Sequence, residues 1–301
     1  MMLQAVGLLF LSSIFMGIMS ILRKEYQERS SLSLMPTALF LIGVSLIGAG
    51  VAAAVGFDDL YVSGKSVGLA VGYAVISALT TFICIYGTAF GNVSAIILFA
   101  SLGNLALPSL YGFWAQPDQN RLSVAKAVGF LLAVGCMLIN FWGNERKKSN
   151  TVFKLLCVLV FFSQGSALIL LSLKNTYCKD ISNYAFIVQY MLATLVIMAL
   201  ILTAGLLKNK RDTVACVKKS LNKGCVAIIL AYAVLFFASD LLALKCVDMI
   251  PLTVQATMKF CIPIITTAFL ERLFYQTKLT KANIGQMLLA FLCCLCFAFE
   301  G

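Results

Sequence analysis

Residues 249–285 read MIPLTVQATMKFCIPIITTAFLERLFYQTKLTKANIG. A long apolar run carries one lysine, Lys259, then Pro263, an acidic turn at Glu271, and Gly285 at the opening of a further apolar run. Runs of this length read as membrane-crossing helices, because about 20 residues at 1.5 Å rise span the hydrocarbon core. Residues 93–129 repeat the pattern as VSAIILFASLGNLALPSLYGFWAQPDQNRLSVAKAVG. Pro108 falls on Pro263 and Asn104 on Lys259 at one offset, and Gly129 falls on Gly285 across one extra loop residue. Upstream, Tyr73-Ala74-Val75 is echoed by Tyr232-Ala233-Val234. Self-similarity on this scale sets the architecture before any local reading.

Extending the search to the whole chain predicts ten transmembrane helices: Leu3–Leu22, Leu34–Val55, Val67–Phe90, Val93–Trp114, Val124–Trp142, Val152–Leu173, Tyr184–Leu207, Cys225–Leu244, Met249–Leu270 and Ile284–Phe299. The first run lacks the basic flank and cleavage site of a signal peptide and is kept as a helix. Continuous apolar runs exclude a β-barrel, whose strands alternate. The expected fold is an all-α polytopic membrane protein of two five-helix repeats, residues 1–147 and 148–301, with no separate soluble domain. An odd number of helices per repeat forces the halves into opposite orientations, the inverted-repeat plan of secondary transporters.

Composition agrees. Of 301 residues, 61% are hydrophobic and 12% charged, and mean hydropathy is +0.97, which excludes a water-soluble globule and a disordered chain alike. There is no histidine, so imidazole catalysis and histidine metal sites are absent. With no paired carboxylates in the runs and no phosphate-cradling loop, an enzyme, an ATP-driven pump and a bound cofactor are not expected. Most of the 11 cysteines sit inside apolar runs as small hydrophobes, and the single Cys293/Cys296 pair makes no metal site. The net charge of +11 is scattered over short loops, which suits a lipid surface and not nucleic acid. Residues 208–223, KNKRDTVACVKKSLNK, form a basic interfacial segment. Alternate loops hold 16 of the 23 basic residues, the other loops and termini 6, and Lys259 is the last; the positive-inside rule then puts both termini outside.

The turn FLERLFYQTKLTKANIG resembles the drug/metabolite transporter (DMT) superfamily in its ten-helix EamA-type branch. Glu271 matches the acidic position and Gly285 the helix-opening glycine, while Leu270 stands where the family has glycine and Gln116 replaces the acidic residue in the first half. The resemblance implies a carrier of small metabolites and does not name one. It also implies termini on the inner side, against the charge count. A bacterial plasma membrane is the expected location, with a small-molecule substrate and the lipid bilayer as partners; oligomeric state is not legible.

The candidate substrate site centres on Lys259. An ammonium that deep costs about 2.5–3.5 kcal/mol on insertion scales, so it should face the bundle interior and have a partner. Asp248, Gln255, Lys259, Pro263 and Thr266 recur on one helical face. Asn104 is the counterpart of Lys259 in the first half, and Asp240 is the carboxylate placed inside a run. The expected substrate-binding set is Lys259, Gln255, Asn104, Asp240, Tyr232 and Gln164, with Gln189, Tyr190 and Tyr86 weaker. These residues predict secondary active transport of a small anionic or zwitterionic organic metabolite by alternating access. The alternatives are an exporter of neutral or cationic amphiphiles in which Lys259 is locked to Asp240, or a non-transporting scaffold or channel.

Overall fold

The computed structural model of the chain describes residues 2–30, 34–87, 93–115, 123–143, 151–246, 249–276 and 281–298. Among them lie eleven α-helices and no strand. They are α1 (Met2–Arg29), α2 (Leu34–Val55), α3 (Gly64–Gly87), α4 (Val93–Ala115), α5 (Val124–Gly143), α6 (Thr151–Tyr177), α7 (Asn183–Lys208), α8 (Lys210–Ser220), α9 (Lys223–Cys246), α10 (Leu252–Tyr275) and α11 (Lys281–Ala298). Seven of the described helices, α1 to α4, α6, α7 and α9, are long and apolar enough to cross a membrane. Large apolar side chains such as Leu131, Leu200 and Leu207 stand exposed on the outer surface, as lipid contact requires. The protein is an integral, polytopic, all-helical membrane protein.

Two departures from the sequence reading matter. The first helix does not stop at Leu22 but runs on to Arg29. Arg29 and Glu25 pair one turn apart at 2.7 Å, and the Tyr26 hydroxyl donates to the Pro36 carbonyl at 2.9 Å while its ring packs on Phe40. The polar segment is thereby helical and Arg23 lies inside a span, so it no longer counts as a loop charge. The second departure is α8, an eleventh helix in the basic segment. Asn209 caps it by accepting from the Asp212 amide, and Asp212 at its start with Lys218 and Lys219 at its end complement the helix dipole.

The halves of the chain interlock. Helix α4 packs on α6 and α10, α2 on α7 and α9, α5 on α11, α1 on α9 and α10, and α3 on α6 and α7. Small residues allow these approaches. Ser12 of α1 donates to the Ser239 carbonyl of α9 at 2.9 Å, and a Cβ on Gly103 of α4 would collide with the Phe161 carbonyl of α6.

The ends of the bundle differ. Where α1 begins and α6 and α9 end, polar side chains fasten the helices to one another: the Cys246 thiol donates to Ala5 O at 3.4 Å and the Asn175 amide to Leu244 O at 3.2 Å. Residues 144–150, where the sequence places the boundary between the two expected repeats, lie outside the described residues, as do Gln116 and Asp248.

Candidate functional site

A cavity of about 90 Å³ lies where α1, α3, α4, α6, α9 and α10 converge. That is room for several waters. Lys259 and Pro263 reach it from α10, Asp240 and Ser239 from α9, Asn104 and Ser101 from α4, and Gln164 from α6. From α3 come Tyr73, Ser77, Thr80 and Thr81, and from α1 Ser20 and Arg23. A smaller space of about 20 Å³ adjoins it, sharing Ser20, Arg23, Cys84 and Ile97 and adding Lys24 and Gln27. Because Lys24 and Gln27 stand in the last two turns of α1, the cavity leads toward the end of the bundle where α1 stops.

Lys259 stands seven residues into α10 and sixteen from its end, nearer the start of the helix than the expected central position. It is 6% exposed and Asp240 7%, so both charges are withdrawn from bulk solvent. They are close enough to interact electrostatically, yet no direct salt bridge joins them among the described residues. Asp240 is fixed otherwise. One of its carboxylate oxygens accepts from the Tyr190 hydroxyl at 2.7 Å and from the Tyr73 hydroxyl at 3.0 Å, with the tyrosine rings packed 4.7 Å apart. The second carboxylate oxygen accepts no hydrogen bond from the described residues, and charge-assisted bonds of this kind hold the first oxygen firmly. Asp240 is therefore a positioned anion beside a cation that has no hydrogen bond of its own to the described residues.

Four of the six expected site residues, Lys259, Asp240, Asn104 and Gln164, line this cavity together. The other two are placed elsewhere. Gln255, 0% exposed, donates through its amide nitrogen to the carbonyls of Cys246 and Ile250, both at 3.0 Å, and so ties α10 to the turn that follows α9. Tyr232 does not line the cavity; its hydroxyl accepts from Nε and Nη2 of Arg23 at 2.8 and 2.6 Å, and its ring stacks on Phe236. The weaker candidate Tyr190 acts through Asp240, and Gln189 lies off the cavity with both amide atoms buried and unpartnered in the structure.

Sequence reasoning missed Arg23, Tyr73 and the α3 hydroxyls. The signal for Arg23 was the Glu25/Arg29 spacing, which extends the helix beyond the apolar run. Serine and threonine give no comparable signal, since in helices they also bond their own backbone, as Thr80 does to Ile76 O at 2.9 Å. Among the described residues no cluster of three or more metal-ligating side chains occurs.

Comparison with known proteins bears on the fold alone. No family model matches the sequence, and no curated protein matches it. Among 28 solved chains that match, a crystal structure of another protein superposes over 100% of this chain and 98% of its own with a TM-score of 0.70, at 12% sequence identity. The helical arrangement is thus one that another protein adopts with a largely different sequence.

Proposed function

We propose that the chain is a secondary transporter of a small anionic or zwitterionic organic metabolite, built as two inverted five-helix repeats of the DMT superfamily, EamA-type branch. On this reading α1 to α5 correspond to α6, α7, α9, α10 and α11, with α8 as an interfacial insertion. The main helix pairings support it. Exchanging the halves turns α1–α9 into α6–α3, α1–α10 into α6–α4, and α2–α9 into α7–α3, all of which occur; α2–α7, α4–α10 and α5–α11 map onto themselves. Pairings that return under exchange are what a pseudo-twofold axis produces, and such folds bind substrate at the repeat interface.

The observation that carries the functional reading is the convergence of Lys259, Asp240 and Asn104 on one cavity, of about 90 Å³, between the halves. Intramembrane charges that face a cavity mark substrate pathways. Lys259 supplies the countercharge for an acid group, Asp240 takes an ammonium if one is present, and Asn104 and Gln164 hydrogen-bond the body. Pro263 beside Lys259 and Pro108 on α4 each leave a helix carbonyl without its usual donor, which suits segments lining a cavity.

The test is thermal stabilisation of the purified protein, wild type beside Lys259→Ala, by acidic, zwitterionic, neutral and cationic metabolites. The expected result is stabilisation by acidic or zwitterionic compounds that disappears in the variant. Stabilisation by cations or neutral amphiphiles, unchanged in Lys259→Ala, leaves Lys259 a structural residue and removes the anion site.

A further inference from the structure

The cavity holds a second cation that the Lys259 reading does not use. Arg23 is carried into a span by the extension of α1, and no carboxylate lies within salt-bridge distance of it among the described residues. Its Nε and Nη2 each donate to the neutral Tyr232 hydroxyl, and the Cys84 thiol lies beside it. Two of its five N–H donors are thereby occupied by an uncharged oxygen and the charge is left unbalanced. A guanidinium kept like this at the wall of a buried cavity is a site for an anion.

Position separates it from the Lys259 site. Arg23 is tied to α9 at Tyr232, and Lys259 lies by Asp240 on the same helix. These α9 positions are eight residues apart, about 12 Å of helix rise. A single phosphate or carboxylate does not bridge that span. The cavity therefore has two chemically different ends: an opposed pair, Lys259 and Asp240, and Arg23, a cation with no carboxylate within salt-bridge distance among the described residues. An opposed pair complements the carboxylate and ammonium of one α-amino acid head, and such a cation complements a further acid group. The three side chains sum to one positive charge, which a substrate of charge −1 cancels.

We infer that the site takes an α-amino dicarboxylate, with its head group on Lys259 and Asp240 and its distal carboxylate on Arg23. This rests on the carrier reading above and specifies its substrate class. The hydroxyls of Ser77, Thr80 and Thr81 lie along the wall that α3 presents to the same cavity.

The probes are L-glutamate and L-2-aminoadipate, compared with L-glutamine, which lacks the distal charge, and glutarate, which lacks the amine. Thermal stabilisation is titrated on wild type, Arg23→Gln, Arg23→Lys and Lys259→Ala. Wild type is expected to half-saturate with at least one of the two amino diacids at a concentration about tenfold below that for glutamine or glutarate, the scale of one charge-assisted contact. Arg23→Gln should bind the diacid and glutamine alike, and Arg23→Lys should keep the preference. Equal response of wild type to the diacids and glutamine overturns the inference, as does a preference that survives Arg23→Gln. Equal response to glutarate overturns it by removing the ammonium contact on Asp240. Should Arg23→Gln not fold, the wild-type comparisons decide alone. Failure of the carrier reading looks different: no compound stabilises the wild type, or Lys259→Ala matches the wild type for every compound. The inference then falls with it.

Discussion

Asp240→Ala is expected to lower the unfolding midpoint of the detergent-solubilised protein far more than Lys259→Ala. Asp240 on α9 holds the hydroxyls of Tyr73 from α3 and Tyr190 from α7, so one carboxylate knits three helices. Its loss strands two buried hydroxyls and leaves Lys259 without a neighbouring carboxylate among the described residues. Removing one member of a buried charge pair costs about 3–5 kcal/mol, and each stranded polar group about 1–3 kcal/mol in water-soluble proteins. Membrane hydrogen bonds average nearer 0.6 kcal/mol, so a total of about 4–6 kcal/mol is the expected scale. Lys259→Ala costs less, because the remaining carboxylate keeps both tyrosine donors and borders a cavity large enough for water. The double variant should be more stable than Asp240→Ala, the non-additivity of groups that share an interaction. Denaturant titration of the four proteins checks this, and equal losses in the two single variants contradict the assigned roles.

The contact between α4 and α6 gives the second large effect. Gly103 of α4 lies against the Phe161 carbonyl, and a Cβ on Gly165 of α6 would meet the Gly103 carbonyl and the Leu107 side chain. Backbone meets backbone here, so no flexible side chain swings aside to admit a methyl group. Gly103→Ala should therefore cost about 3 kcal/mol, the upper end of the range for overpacking, and Gly103→Leu should yield no monodisperse protein. Gly50→Ala and Gly68→Ala are the controls. A Cβ at either meets nothing, and both variants should stay within about 0.5 kcal/mol of wild type. Yield by size exclusion and the unfolding midpoint report the difference. A wild-type midpoint for Gly103→Ala would show that α4 and α6 stand further apart.

The helical frame was legible because hydrocarbon tolerates no unsatisfied backbone, so helix length and continuity of apolar residues report directly on structure. Leu34–Val55 falls on α2 to the residue. Lys259, Asp240, Asn104 and Gln164 stood out because polar groups inside apolar runs must find partners or water, and in the structure they share a cavity. Helical spacing assigns a face, however, and not what a side chain does there. Gln255 is one turn from Lys259 on that face, yet it spends its amide donors on the carbonyls of the turn preceding α10. Arg23 was hidden because RKEYQER reads as a polar loop by composition, while its helicity rests on an ion pair and on the packing of Tyr26 against Phe40. The Glu25/Arg29 spacing is a single local trace, and the tertiary packing of Tyr26 on Phe40 leaves none.

The fastening where α1 begins and α6 and α9 end bears on kinetics. Cys246 to Ala5, Asn175 to Leu244 and Gln255 to the Cys246 and Ile250 carbonyls are neutral side chains on backbone oxygens, with no ion pair among these contacts. Each such bond inside a membrane protein is worth on the order of 0.6 kcal/mol, so the set yields to motions on the microsecond to millisecond scale. Charged latches weaken as salt screens them, whereas these have no charge to screen. For a carrier of the proposed kind, these neutral contacts should contribute nearly the same resistance to opening at low and high salt, even where substrate affinity at Arg23 and Lys259 falls as salt is added.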